Sequence, residues 1–243
     1  MTKQLSARAD DRATNSEAVE DYVRAVLRTA RGPRRISSTT EMADCLGVTP
    51  ASVSSMFKRL ARLGLVAYEP YRGVCLTPEG ERLALRLTRR HRLLETFLAD
   101  TLGMPVERVH AEADRLEHHI SDELEALIAT HLGARAVDPH GDPIPTAQLN
   151  LPNDDTIALV DVQVGRRGTV ARVPDVDAEV LRYLSETARI GPGTEFVLDE
   201  KQPFGGAVLL CVGQQRVVLA RALAARVRVR PTESVQDRGV DRG

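Results

Sequence analysis

The chain has 243 residues, enough for two small domains or one large one. Lys and Arg number 33 against 34 Asp and Glu, a net charge of -1, which excludes a globally basic nucleic-acid coat but leaves room for a local basic patch. Aromatic residues make up 3% with no Trp, which argues against an aromatic stacking platform for single strands or carbohydrate. No apolar run approaches the roughly 20 residues of a membrane span, and the polar N-terminus lacks the apolar core of a signal peptide. The three cysteines, Cys45, Cys75 and Cys211, are scattered and form no CxxC pair, so neither a disulfide framework nor a thiolate zinc site is indicated, and the expected compartment is the reducing cytoplasm.

Residues 1–15 read as a loose polar leader. Ser16 is placed to cap a helix over 17–30, with Val19, Tyr22, Val23, Val26 and Leu27 on one stripe and Arg31-Gly32-Pro33 ending it. Ser38-Thr39-Thr40-Glu41 has the form of a capping box, which opens a helix carrying Met42, Ala43 and Leu46 inward. Gly47-Val48 makes a turn. Thr49 then caps a second helix with Pro50 at its first position, where the missing N–H costs nothing, and Val53, Met56, Phe57, Leu60 and Leu63 form its apolar face up to Gly64. Leu65–Tyr68 and Val74–Leu76 flank a turn and predict a β-hairpin. Thr77-Pro78 starts a helix to about Ala99, residues 106–119 predict another, and Ser121 caps a third that ends at Leu132-Gly133. The stretch 134–156 is rich in Pro, Gly, Asp and Asn and reads as a linker. Beyond it the period falls to about 2: Ile157–Val164, Thr169–Val173, Glu195–Leu198, Val208–Val212 and Arg216–Leu219 predict strands, with one helix at about 177–187 and a loose tail from Pro231.

Helix, tight turn, helix and hairpin in that order make a winged helix-turn-helix, whose second helix can enter the major groove. That helix offers Thr49, Pro50, Ala51, Ser52, Ser54 and Ser55 near its start, small residues that let backbone approach base edges; Thr39 opens the helix before it. Lys58, Arg59 and Arg62 follow on the outer side, and Arg72 sits at the hairpin tip, all able to meet phosphate. A helical bundle with a solvated polar face is the plain alternative for this segment.

A second pattern lies on the helices that follow. His91 and Glu95 are one turn apart, and His110, Asp114, Glu117 and His118 follow each other at helical spacings, while Asp21 lies on the first helix. Imidazole nitrogen and carboxylate oxygen are the donors that hold divalent transition metals. Taken alone, His91/Glu95 reads as a surface ion pair and the second group as an ordinary charged helix; two such faces in one domain favour metal. His119, His131 and His140 read as solvated or isolated histidines.

With these residues in place, the sequence resembles the diphtheria toxin repressor family of metal-dependent repressors, which includes iron-dependent regulators and manganese regulators. The resemblance runs from about residue 16 to 230 and is carried by Glu20-Asp21-Tyr22, the helix-turn-helix, Arg90–Glu95, Val109-His110 through Glu123, and His140-Gly-Asp-Pro-Ile-Pro145. It implies a mainly α fold with β in three parts: a winged helix-turn-helix over 16–80, a helical metal-binding and dimerisation domain over 81–140 followed by the linker at 141–156, and a small FeoA-type β-barrel over 157–230 before the tail at 231–243. It implies a primary site of Asp21, Asp114, Glu117 and His118, and an ancillary site of His91, Glu95 and His110 helped by acids of the C-terminal domain, assigned to Asp177 and Glu179.

Iron-type members carry Met and Cys where this chain has Asp21 and Asp114, so the resemblance implies Mn(II) first and Fe(II) second, with Co(II), Zn(II) and Ni(II) as substitutes in vitro. Manganese members with a paired-metal site carry Glu one turn after the aspartate, where this chain has Arg24; the ancillary residues follow the three-domain iron regulators instead. The function implied is a cytoplasmic homodimeric repressor, not an enzyme, that binds a palindromic duplex operator when metal-loaded and takes neither a membrane nor a small organic substrate as partner. A metallohydrolase and a metal-independent winged-helix regulator are the competing readings; chelator-insensitive DNA binding would favour the second.

Overall fold

The computed structural model describes residues 17–30, 36–175 and 177–232. The expectations for the leader at 1–15, the Ser16 cap, the Arg31-Gly32-Pro33 stop and nearly all of the tail lie outside the described residues. The described chain divides into two units, one reaching His91 and including Pro145–Asn150, the other formed by Arg92–Ile144 and the residues from Leu151 onward.

In the first unit, local capping chemistry sets the element boundaries. Helix α1 (Glu17–Thr29) buries Val19, Tyr22, Val23, Ala25 and Val26 along one face. Ser38 accepts from the Glu41 N–H while the Glu41 carboxylate accepts from the Ser38 N–H, the reciprocal pair that starts α2 (Thr39–Leu46). Gly47 ends α2 at φ 64, a left-handed conformation that suits glycine. Thr49 caps α3 (Pro50–Arg62) by accepting from the Ser52 N–H, and Val53, Phe57 and Leu60 face inward. Strands β1 (Val66–Glu69) and β2 (Gly73–Leu76) form the hairpin, with Tyr68 opposite Val74. Ser37 exchanges both backbone hydrogen bonds with Val74, at 2.8 and 2.9 Å, so the chain entering α2 lies along the second strand of the wing. The Phe57 and Tyr68 rings meet at 5.3 Å and tie the wing to α3. Thr77 caps helix α4 (Pro78–Asp100) by accepting from the Gly80 N–H. A Cβ at Gly80 would stand 1.9 Å from the Leu65 carbonyl, so only glycine admits this approach of helix to hairpin.

The unit boundary falls within α4. In the second unit, the rest of α4, α5 (Val106–Leu116) and α6 (Asp122–Leu132) enclose a core of Leu93, Leu94, Leu98, Val109, Ala113 and Ile128. The sequence predicts α5 through residue 119, but the helix ends at Leu116. His119 and Ile120 both donate to the Leu116 carbonyl, which tightens the exit and turns the chain toward the Ser121 cap of α6.

Strands β3 (Ile157–Ala158), β4 (Arg167–Arg172), β5 (Glu195–Lys201), β6 (Val208–Val212), β7 (Gln215–Leu219) and β8 (Arg228–Pro231) form an antiparallel sheet in the order β3-β8-β4-β5-β6-β7. Among the described residues no pairing joins β7 to β3, so the expected barrel is a six-stranded sheet with two open edges. Two strand expectations need correction. Only Ile157 and Ala158 of the run to Val164 are strand; the chain then turns tightly so that both Leu159 and Val162 reach the core. The alternating segment at β8, which pairs with both β3 and β4, was not expected as a strand. The helix expected at 177–187 is α7 (Ala178–Arg182), continued by a wider turn at Tyr183–Thr187, and α8 (Arg221–Ala224) precedes β8.

The segment read as a linker carries specific structure. Arg89 donates to the Pro145 carbonyl in the first unit, and Arg92 to the Pro143 carbonyl in the second, each at 2.6 Å. Asp138, His140 and Ile144 are buried.

Candidate metal centre and nucleic-acid interface

The outward surface of α3 carries the residues expected to read DNA. Thr49, Pro50, Ala51, Ser52, Ser55, Lys58 and Arg62 are exposed, and Ser54, Arg59 and Thr39 are half-buried. The Thr49 hydroxyl lies 3.0 Å from that of Ser52, so these two side chains form part of the cap. Arg72 is exposed at the wing and pairs with Glu69 at 3.1 Å. An exposed pair of this kind contributes little stability, so Arg72 can exchange Glu69 for a phosphate at small cost.

The acid and imidazole groups of the second unit are arranged in the opposite way, inward. Glu95 lies on α4 one turn after His91, and both are buried, so the pair is not a surface ion pair. Glu95 Oε1 lies 3.0 Å from Nδ1 of His110 on α5, and Asp175 Oδ2 lies 2.5 Å from that same nitrogen. Glu95, His110 and Asp175 each offer a ligand atom within 4.8 Å of one another. His110 Nε2 lies 3.4 Å from Asp114, one turn along α5.

Burial alone would lower the His110 pKa. Hydrogen bonds to Asp175 and Glu95, together with the charges of Asp175 and Asp114, outweigh it, and the value is pushed up to about 10. These acids thus favour the protonated, cationic form of His110.

Asp175 is the C-terminal acid that reaches this cluster, in place of the expected Asp177 and Glu179. Asp177 spends its carboxylate as the cap of α7, accepting from the Glu179 N–H at 2.7 Å, and both residues are exposed. Asp175 precedes that cap and lies shortly beyond β4, past Val173, which donates to the His140 carbonyl at 3.0 Å and fixes the course of the chain. An acid in an irregular segment, 65 positions beyond its partner His110, leaves no periodic signal in sequence.

Glu117 stands at the end of α5 and is 1% exposed; His118 Nε2 lies 3.4 Å from its carboxylate. Asp114 offers an oxygen within 4.8 Å of a Glu117 oxygen. His119 points outward and His131 lies beside Thr101 and Phe97, as surface histidines do. Asp21 is half-buried on α1 in the first unit.

His140, read as isolated, is 1% exposed and lies among acids: Nδ1 is 4.0 Å from Glu95 and Nε2 is 3.9 Å from Asp175. Asp138 beside it is pushed well above the usual carboxylate range by burial and by the Glu95 and Asp142 charges, against the pull of Arg92. The second unit thus buries the carboxylates of Glu95, Glu117 and Asp138 and the imidazole of His140. Its donors are oxygen and nitrogen without sulfur, which suits a hard or borderline divalent ion.

Comparison with known proteins agrees with both halves of this description. Residues 15–74 match the iron-dependent repressor N-terminal DNA-binding domain, residues 77–146 the iron-dependent repressor metal-binding and dimerisation domain, and residues 157–231 the FeoA domain. The diphtheria toxin repressor of Corynebacterium efficiens is 34% identical over 204 residues, 80% of this chain and 87% of its own. The transcriptional regulator MntR of Salmonella typhimurium is 42% identical over 120 residues, 48% of this chain and 74% of its own. Among solved structures, a manganese-dependent transcriptional repressor in complex with manganese is similar at a TM-score of 0.80 and 35% identity, covering 86% of this chain and 98% of its own. With a DNA-reading head, buried carboxylate and imidazole donors, and a relative matched along most of its length, the chain belongs to the diphtheria toxin repressor family of metal-dependent transcriptional regulators.

Proposed function

We propose that this protein is a Mn(II)-activated repressor that binds duplex operator DNA as a homodimer in the cytoplasm and controls genes of metal homeostasis. The observation that carries the reading is the donor set: buried carboxylates and imidazoles, without sulfur, in a chain that also bears a winged helix-turn-helix. The primary ligands are Asp21, Asp114, Glu117 and His118; the ancillary ligands are His91, Glu95, His110 and, from the C-terminal domain, Asp175. Mn(II) stands at the weak end of the divalent affinity series, so a site favours it through hard oxygen donors and a coordination number above four rather than by strength. Three carboxylates in the primary set supply the hard oxygen donors beside one imidazole, and backbone carbonyl or water would raise the coordination number above four. Similarity to a manganese-dependent repressor and to MntR supports the same metal.

A bound divalent ion supplies the positive charge that offsets the buried acids. Glu95 and Asp175 orient the His110 ring, which would give up its proton in serving as a ligand. Glu117 orients His118. Metal biases DNA binding only as far as it binds the DNA-competent arrangement more tightly than the others. This is a regulator's chemistry rather than an enzyme's: the donors belong to a family that reads DNA. Fe(II) is the second reading, favoured by the match to a diphtheria toxin repressor along most of its length.

The test is selection of duplexes from a randomised pool in the presence of Mn(II), followed by anaerobic titration of the selected duplex with Mn(II), Fe(II), Zn(II) or chelator. The expected result is a symmetric site with half-site centres about one helical turn apart or a multiple of it. Mn(II) should activate at least as fully as Fe(II), Zn(II) poorly, and chelator should abolish binding. Binding that ignores chelator overturns the reading. Activation by Fe(II) with silence under saturating Mn(II) reassigns the metal.

A further inference from the structure

The tip of the wing holds a side chain that the fold does not use. Tyr71 is fully exposed, at 107%. The other tyrosines serve the fold: Tyr22 is buried, Tyr68 packs against Phe57, and Tyr183 donates to the Val218 carbonyl at 3.1 Å. An aromatic ring left in water contributes nothing to the stability of the head.

The backbone at Tyr71 is unfavourable as well. The Arg72 N–H donates to the Glu69 carbonyl at 3.1 Å, which closes a tight turn with Pro70 and Tyr71 at its centre. Tyr71 has φ 66, a left-handed value that Gly or Asn adopts most readily at this place in a turn. A bulky side chain there is strained. Nor is the tip free to relax. Ser37 exchanges both backbone hydrogen bonds with Val74, and Gly73 lies so close that a Cβ would stand 2.5 Å from the Ser37 carbonyl. A strained, exposed ring on a braced turn calls for a contact outside the chain.

Duplex DNA on the outward surface of α3 supplies one. Each strand of the wing has four residues, a length of roughly 13 Å. The major groove that α3 would enter is about 12 Å wide, so the tip can cross the bounding phosphates and reach the adjoining minor groove. Arg72, exposed beside Tyr71, stands ready for those phosphates. The floor of the minor groove offers the A N3 and T O2 acceptors, and a G·C pair adds an amino group there. A phenol hydroxyl can donate to such an acceptor while its ring lies along the sugar wall.

We propose that Tyr71 enters the minor groove beside each half-site, where its hydroxyl donates to an A·T pair and gives the operator a preference for A·T at that flank. The inference rests on the reading that this chain binds duplex operator DNA, and it adds a reader separate from α3 and Arg72.

The duplex selected with Mn(II) from a randomised pool tests it, with the affinities of wild type, Tyr71→Gly and Tyr71→Phe measured at saturating Mn(II). Glycine suits the turn, so the melting temperature of Tyr71→Gly should stay near that of wild type while its affinity falls about tenfold. For wild type, exchanging A·T for G·C at the flank should cost about fivefold, the size of one hydrogen bond. An inosine·cytosine pair, which lacks the guanine amino group, should restore binding. Tyr71→Phe should bind all these flanks alike. Equal affinity of wild type and Tyr71→Gly, an inosine flank that binds as weakly as G·C, or flank discrimination kept by Tyr71→Phe overturns the inference and leaves the metal-activated repressor standing. Failure of wild type to enrich any duplex overturns that broader reading instead.

Discussion

The first unit presents its chemistry outward and the second encloses it. In the DNA-reading head the core is apolar, centred on Met42, Phe57 and Leu60, and the cations Lys58, Arg62 and Arg72 stand in solvent. In the second unit Glu95, Glu117, Asp138 and His140 are buried beside a core of aliphatic side chains. Charges in solvent are screened and act over a Debye length; charges in a dry interior cannot be left uncompensated. Surface changes in the head should therefore alter DNA affinity with little effect on stability. Changes to the buried acids of the second unit should alter metal affinity far more than they lower metal-free stability.

The largest separation of the two regions should come from Glu117→Ala. Loss of this buried carboxylate should weaken Mn(II) binding by more than the roughly 10–100-fold typical of losing a group that merely supports a ligand. Metal-free melting should change little or rise, because a buried charge is removed; titration calorimetry and thermal melts on one preparation check both. Phe57→Ala should do the reverse. The cavity should cost about 3–5 kcal/mol of head stability in a denaturant melt, while Mn(II) stoichiometry by dialysis stays at the wild-type value.

A smaller and graded effect belongs to pH. The His110 pKa of about 10 lies above its ordinary value of 6.5, so the folded metal-free protein binds this proton more tightly than the unfolded chain. Its stabilising contribution is complete below about pH 6.5 and is lost as pH rises toward about 10. Metal-free melting temperature should fall across that window, and Mn(II) affinity should rise, with proton release detected by calorimetry in buffers of different ionisation enthalpy. A His110→Ala variant should lose this component of the pH dependence. The smallest effect is expected at Lys58→Ala: weaker binding to all duplexes alike, with the salt slope reduced by about one unit. A loss confined to one base position would instead assign Lys58 to base reading.

The same contrast explains how much the sequence disclosed. The head is written in short-range grammar: Ser38 and Glu41 cap each other across three residues, Thr49 and Ser52 do likewise, and Gly47 ends α2 in the conformation that glycine favours. Such signals survive without knowledge of the tertiary fold. Within the second unit, His110, Asp114 and Glu117 were legible because they follow helical spacing, although the helix stops before Glu117. Asp175 and His140 were not, because each lies in irregular chain and meets Glu95 or His110 only through folding. Asp177 carries a helix-start signal in sequence, and in the structure its carboxylate caps α7 instead of joining the cluster around His110. The Asp138-Pro-His140-Gly-Asp142 run, dense in donors, was the available signal for the buried loop.

If metal held by carboxylate and imidazole controls the DNA-reading head, Asp21→Ala should separate metal uptake from DNA binding. Asp21 lies on α1, a different helix from the outward residues of α3. Operator binding by wild type and variant would be titrated with Mn(II) under anaerobic conditions, with dimerisation and Mn(II) uptake measured on the same samples. The variant should stay dimeric, retain Mn(II) at the ancillary residues and lose Mn(II)-stimulated DNA binding. A variant that binds the operator with the wild-type dependence on Mn(II) would contradict metal control through Asp21.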